Sequence, residues 1–162
     1  MDDGQGVKVI TFDDAYAADF ARLNYEWIEK YFVVEDHDRE MLDHPREYIV
    51  DKGGEIFFAM VGGIAAGTVA MIKFPDGSFE LAKMGVAPEF RGRGIANYLM
   101  KACIDFAKAI GSPKVFLESS RKLSPAIALY RKFGFEETEL DKNTPYARCD
   151  IRMELAIKGV DV

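Results

Sequence analysis

The run ELAKMGVAPEFRGRGIANYLM, residues 80–100, does most to limit what this chain can fold into. It opens as a strand, which Pro88 ends because proline has no N–H to give to a ladder. Past two glycines, Ile95, Leu99, Cys103, Phe106 and Ile110 recur at helical spacing, and Gly111 with Pro113 closes the helix they mark. Gly92 and Gly94 therefore stand between a strand's carboxyl end and a helix's amino end, where unpaired N–H groups and the positive end of the helix dipole converge. Lacking Cβ atoms, they let an anion reach those amides, and Arg91 and Arg93 add positive charge. A nucleotide pyrophosphate, a nucleic-acid phosphate or a plain tight turn would each leave this pattern.

Charge and composition narrow the choice. A formal net charge of −6 argues against a broad nucleic-acid surface, since such binding neutralises many phosphates with Lys and Arg. The 162 residues, 49% of them hydrophobic, suffice for one good core, so a single domain over residues 1–162 is expected. Cys103 and Cys149 form no CxxC and the histidines are His37 and His44 alone, so neither a disulfide framework nor a Cys/His metal site is expected. The acidic stretch MDDGQGVKVITFDD has no apolar signal core, and no apolar run approaches the ~20 residues of a membrane span. A reduced cytoplasmic protein, with no membrane or nucleic-acid partner, is the expectation.

Hydrophobic period and turn residues supply the remaining elements. Val7 to Phe12 alternates as a short strand, and Asp13 or Asp14 can cap a helix whose apolar face is Tyr16, Phe20, Leu23, Trp27 and Tyr31. Residues 33–54 read as one or two short helices, with Pro45 at a first helical position and Gly53-Gly54 as the stop. EIFFAMV, IAAGTVAMIKF and SFELAKMGVA form an antiparallel meander turning at Gly62-Gly63 and at Pro75-Asp76-Gly77. KVFLES is a buried strand reached by a right-handed crossover, hence parallel to SFELAKMGVA. Ser124 caps a further helix with Pro125 in its first turn and Gly134 at its end. FEETEL and YARCDIRMELAI read as a final hairpin across the DKNTP loop. The sum is an α+β chain: a mixed sheet of about seven strands with helices packed on it. An edge strand in the last hairpin suggests a homodimer.

A dinucleotide-binding fingerprint fits the glycines poorly. Glu118 lies about twenty residues on, as that motif asks, but Asn97 takes the third glycine's place, PEFR separates the strand from the first glycine, and a meander precedes it. The phosphate-binding loop of nucleotide triphosphatases needs GK[ST], which the chain lacks.

The same run, with its strand ending in Val-x-Pro followed by [RQ]-x-x-G-x-[GA], resembles the acetyl-CoA-binding signature of the GNAT superfamily of N-acyltransferases. SPAIALYRKFGF resembles that family's second block, a short helix carrying A-x-x-LY followed by GF, and the two come in the family's order. The resemblance is firm from about Glu55 to Phe135. It implies the GNAT fold: a mostly antiparallel sheet of about seven strands whose parallel pair, about 78–87 and 114–119, splays apart, with helices on both faces. It also implies a transfer of the acetyl group of acetyl-CoA to a primary amine by direct attack in a ternary complex, with no metal. Arg91, Gly92, Arg93, Gly94, Ile95 and Ala96 would wrap the coenzyme A pyrophosphate, and the main chain of Met84, Gly85 and Val86 would pair with the pantetheine arm. Tyr130 matches the family tyrosine near the thioester sulfur. Many relatives carry Asn where Leu123 stands, so that contact is lost or replaced, with Ser124 or Ser120 the compensating hydroxyls.

The chemistry asks for a base. A lysine-like amine is neutral only about once in 2,500 at pH 7, a cost near 4.6 kcal/mol at ~1.36 per pH unit. The resemblance makes Glu80 the first candidate, because some family members hold a catalytic glutamate at its strand position. Glu118, at the neighbouring strand's end, is second. At its ordinary ~4.3 a glutamate is too weak to take such a proton, so burial or a relaying water is needed. Tyr130 would hydrogen-bond the departing sulfur. His37 and His44 read as surface histidines in the variable region, and Cys149 as a small buried hydrophobe. Tyr31, Phe32 and the segment to Tyr48, with Tyr146 and Arg148, could line an acceptor pocket, and the acidic balance favours a cationic acceptor. The competing reading is a non-catalytic acyl-CoA-binding or sensing module; the presence of both Tyr130 and Glu80 favours the enzyme.

Overall fold

The computed structural model describes residues 6–157, so the first five residues of the acidic amino-terminal stretch lie outside it. The chain runs β1 (Val7–Thr11), α1 (Ala17–Tyr31), α2 (Asp36–Asp43), β2 (Glu55–Val61), β3 (Ile64–Lys73), β4 (Phe79–Val86), α3 (Ile95–Ile110), β5 (Lys114–Ser119), α4 (Ser124–Lys132), β6 (Glu136–Thr138) and β7 (Ile151–Ala156). The strands form a single seven-stranded sheet in the order β1-β2-β3-β4-β5-β7-β6. All neighbours are antiparallel except β4 and β5, which are parallel. The seven-stranded mixed sheet and its parallel pair are as the sequence indicates.

Two glycines fix which face each long helix covers. Gly67 of β3 leaves room for α3: an added Cβ would stand 2.8 Å from Ile95 and 3.2 Å from Leu99. Gly85 of β4 leaves room for α1, its missing Cβ falling 2.5 Å from the Leu23 carbonyl oxygen. Gly85 pairs with Thr68, the residue next to Gly67, and successive strand residues point to opposite faces. Hence α1 and α3 lie on opposite faces of the sheet. Their inward residues, Phe20, Leu23 and Ile28 on one side and Leu99, Met100 and Cys103 on the other, are buried against it.

The register of β3 against β4 breaks between Thr68 and Ala70, where Lys83 and Met84 together face Val69. Lys83 has φ +55°, the one non-glycine residue at positive φ among those described. A bulged strand bends and twists more strongly, and β4 turns away from β5 just beyond Glu80. Only Phe79 with Val115 and Glu80 with Phe116 join the parallel pair. By contrast β5 pairs with β7 along its whole length, from Lys114 with Ala156 to Ser119 with Ile151.

Three local readings need correction. Asp13, not Asp14, makes the cap, and it closes a short 3-10 turn before α1, its Oδ1 accepting the Ala15 N–H at 2.8 Å. Asp14 instead pairs with Arg46. Ser124 is the first residue of α4 rather than its cap; Leu123 holds the cap position and offers no side-chain bond. The strand expected from Tyr146 begins only at Ile151, because Ala147 and Arg148 are drawn to Glu35 beside α2 through the Ala147 N–H (3.3 Å) and the Arg148 guanidinium (3.2 Å).

The tightness at Gly85 has a measurable consequence. Gly85→Ala forces α1 off β4 and lowers stability by about 1–3 kcal/mol, the usual cost of overpacking, seen as a lower denaturant midpoint at unchanged slope.

Candidate active site

Where β4 and β5 part, a cavity of about 470 Å³ passes through the sheet. Glu80 pairs with Phe116, two residues from Glu118, so both carboxylates point to the α1 face. Trp27, Tyr31 and Phe32 of α1 and the turn after it line that side. Tyr130 of α4 lines the cavity too, standing beside Cys103 of α3 on the opposite face. A second cavity of about 320 Å³ opens from the α2 side and shares Glu80 and Glu118 with the first.

The glycine turn forms the mouth. Gly92 and Gly94 have φ of +79° and +73°, so glycine is needed for backbone conformation, while nothing lies within 4 Å of an added Cβ at Gly92. Among the described residues, the N–H groups of Gly92, Arg93, Gly94, Ile95 and Ala96 have no backbone acceptor. Five consecutive open amides at the positive end of a four-turn helix make a cradle for an anion. Arg91 and Ala96 line the cavity beside it, as do Met84 and Val86 of β4. Ile95 turns its side chain into the core against Gly67, which leaves its N–H as its contribution to the mouth. The Arg93 guanidinium lies 5.4 Å from the Phe90 ring. Gly85 does not line the cavity, and neither does Ser124, which is exposed at the start of α4.

Leu123 lines the cavity where the sequence suggested a lost polar contact. Its N–H is given to the Ser120 carbonyl (2.9 Å) and its carbonyl accepts from Ile127 (3.1 Å), so its backbone is fully engaged. Ser120 also lines the cavity and keeps its hydroxyl hydrogen, since its oxygen accepts from the Lys122 N–H. Of the two compensating serines, only Ser120 is in place.

The carboxylates are unusual. Burial, reinforced by the charge of Glu118, raises Glu80 to about 7 against the pull of Lys83 and Arg152. Glu80 makes no side-chain hydrogen bond among the described residues. Burial likewise raises Glu118, outweighing Thr144 and Arg152, and its Oε2 is buried without a partner. Burial, with Cys103 nearby, pushes the Tyr130 phenol up to about 12.

An ion cluster that the sequence reading did not anticipate closes the α2 side. Lys83 Nζ donates to Asp38 Oδ1 at 2.6 Å and to the Tyr146 hydroxyl at 2.7 Å. Arg148 grips the same Asp38 with Nη1 (2.9 Å) and Nη2 (2.7 Å). Burial pushes the Asp38 carboxyl up, yet Arg148 and Lys83 together outweigh it and hold it at about 2. Tyr146 and Arg148 line the cavity as the sequence suggested, whereas Asp38 and Lys83 went unnamed. A lysine inside the apolar run of β4 was the available signal. His37, expected at the surface, is half-buried and lines the second cavity with its ring 5.1 Å from Tyr146, while His44 is exposed, its ring tilted and 6.2 Å from that of Tyr48. Cys149 is half-buried in the loop before β7, not on a strand.

The comparisons agree with this geometry. The sequence pattern of the Acetyltransferase (GNAT) family matches residues 21–135. An uncharacterised N-acetyltransferase of Schizosaccharomyces pombe is 30% identical over 125 residues, 75% of this chain and 77% of that protein. N-acetyltransferase 8 of Rattus norvegicus is 30% identical over 104 residues, 61% of this chain but only 47% of its own length. A GNAT-family acetyltransferase from Staphylococcus aureus superposes with a TM-score of 0.85 at 18% identity, covering 94% of this chain and 99% of its own. A putative acetyltransferase from Salmonella typhimurium, determined with acetyl-CoA, gives 0.72 at 17% identity over 94% and 95% of the two chains. The family match over most of the chain, on a fold with these parted strands, defines an acyltransferase. The chain belongs to the GNAT acetyltransferase family.

Removing Asp38 would leave Lys83 buried without a counter-ion and Arg148 with Glu35 alone. Asp38→Ala lowers stability by about 3–5 kcal/mol, the cost of breaking a buried ion pair from one side, measured by denaturant titration at pH 7.

Proposed function

We propose that the protein is an N-acetyltransferase that moves the acetyl group of acetyl-CoA to a primary amine by direct attack in a ternary complex. The observation that carries this reading is the parting of β4 from β5 with five open amides at its mouth. The N–H groups of residues Gly92 to Ala96, with Arg91 beside them, suit a diphosphate. The edge of β4 at Met84, Gly85 and Val86, unpaired toward β5, suits an extended amide-bearing arm added as a strand.

The thioester then lies between the faces. The amine nitrogen attacks the acetyl carbonyl carbon, a tetrahedral intermediate forms, and the carbon–sulfur bond breaks to release coenzyme A as a thiolate. Glu80 takes the proton that the attacking amine gives up, directly or through one water, and its raised value brings it into the range a base at neutral pH requires. Glu118 shares that work as the neighbour whose charge raises Glu80. Tyr130 hydrogen-bonds the sulfur as its charge grows. The described residues contain no group of His, Cys, Asp and Glu arranged for a metal, and each step has an assigned side chain.

Two measurements test the roles. Tyr130→Phe should lower kcat by about 10²-fold, the scale of one lost donor to a developing anion, with acetyl-CoA affinity little changed; equal turnover would remove the tyrosine from the reaction. For Glu80 the sign is set by its raised value: the carboxyl is protonated and idle below about 7 and ionised above it. The acceptor kcat/KM should therefore rise with pH through about 7. In Glu80→Gln that inflection should vanish with a loss of ~10²–10⁴-fold, leaving only the rise from ionisation of the amine itself.

A further inference from the structure

The cavity wall carries both acidic and basic groups, and the cations among them have unused donors. A guanidinium has five N–H groups in a rigid fork. Arg148 spends three, with Nη1 to Glu35 (3.2 Å) and Asp38 (2.9 Å) and Nη2 to Asp38 (2.7 Å). The two that remain, on Nε and on Nη2, are the parallel pair along one side of the guanidinium, the geometry that takes a carboxylate with two bonds. Neither has an acceptor among the described residues. Lys83 likewise spends two of its three N–H groups, on Asp38 and Tyr146. Both side chains belong to residues on the cavity wall, while Asp38, which balances them, has no exposed surface and stands behind it. Lys122 brings a third cation near Arg148: its Nζ lies 5.1 Å from the centre of the Phe32 ring, and the Arg148 guanidinium lies 5.8 Å from the same ring. The same wall carries Glu80 and Glu118, neither of which has an ion-pair partner among the described residues.

We propose that the acceptor is an amino carboxylate, whose amine is directed to Glu80 and whose carboxylate docks on the free side of Arg148 beside Lys83. This rests on the acetyl-transfer reading above and adds the substrate class. It reverses the expectation from net charge. A polyamine brought to the same wall would set a second ammonium against Lys83 and Arg148, whereas an amino carboxylate matches both kinds of charge.

The test compares L-alanine, L-leucine and L-phenylalanine with their primary amides, and with spermidine, following thiol release from acetyl-CoA. The amide's amine is the less basic of each pair, because the carboxylate of the free acid favours the ammonium form. A preference for the acid thus runs against amine ionisation. The expected result is a kcat/KM at least about 10-fold higher for the acids than for the amides, the scale of a charge-assisted pair of hydrogen bonds. In Arg148→Gln the acid-to-amide ratio should fall toward unity, and in Arg148→Lys, which keeps the charge against Asp38, part of it should survive. Amides or spermidine used as well as the acids would overturn the proposal, as would failure of every acid while acetyl-CoA binds by calorimetry. If acetyl-CoA itself does not bind, the acetyl-transfer reading fails first, and the two failures are thereby told apart.

Discussion

Two residue pairs hold β4 to β5, and the whole site exists because there are no more. Each strand keeps its other neighbour, β3 along β4 and β7 along β5, so the gap is local to one seam of an otherwise continuous sheet. Lys83 marks its origin. A lysine at φ +55° costs of order 1–3 kcal/mol and persists only where surrounding contacts over-determine it. Here the contacts are the buried pair with Asp38 and the hydrogen bond to Tyr146, which tie the bulge to α2 and to the loop before β7. The strained backbone, the ion cluster and the parted strands are thus one feature.

What the sequence revealed and what it concealed divide along the range of the interactions. The meander and α3 were legible because their signals are local: alternation, helical period, and glycine where the backbone needs positive φ, as at Gly94 before α3 and Gly111 after it. The parallel seam followed from connection rules, and its splay from the family resemblance. The tail misled because YARCD alternates like a strand, yet Arg148 and the Ala147 N–H reach back more than a hundred residues to Glu35. No local pattern records such a pairing. Lys83 was missed for a related reason: one extra residue at a bulge changes which side chains turn inward, and period alone does not show where that residue lies.

The net charge of the chain and the field inside the cavity have different origins. The −6 counts every charge of the chain alike, including surface charges screened by water and salt, whereas the cavity's field comes from a few groups in low dielectric. Burial raises both Glu80 and Glu118, the charge of Glu118 adding to the rise at Glu80, and Lys83 and Arg148 are held in place by a carboxylate buried behind them. Such an arrangement is costly to assemble, and a wall that offers both a carboxyl and free cationic donors favours a ligand that itself carries both signs.

In the proposed reaction, proton and charge are handled on opposite faces of the sheet, and the phenol of Tyr130 explains why they must be. Raised to about 12, it lies well above an ordinary thiol at ~8.5, and giving its proton to the thiolate would run uphill by about 5 kcal/mol at ~1.36 per pH unit. A hydrogen bond carries no such penalty and strengthens as the sulfur takes charge. Glu80, at about 7, sits between an amine near 10.4 and water, able to accept a proton from the ammonium-like intermediate and then release it. Burial accounts for both values, lifting the phenol out of acid chemistry while bringing the carboxyl into base chemistry. The gap between β4 and β5 is what lets one thioester reach both.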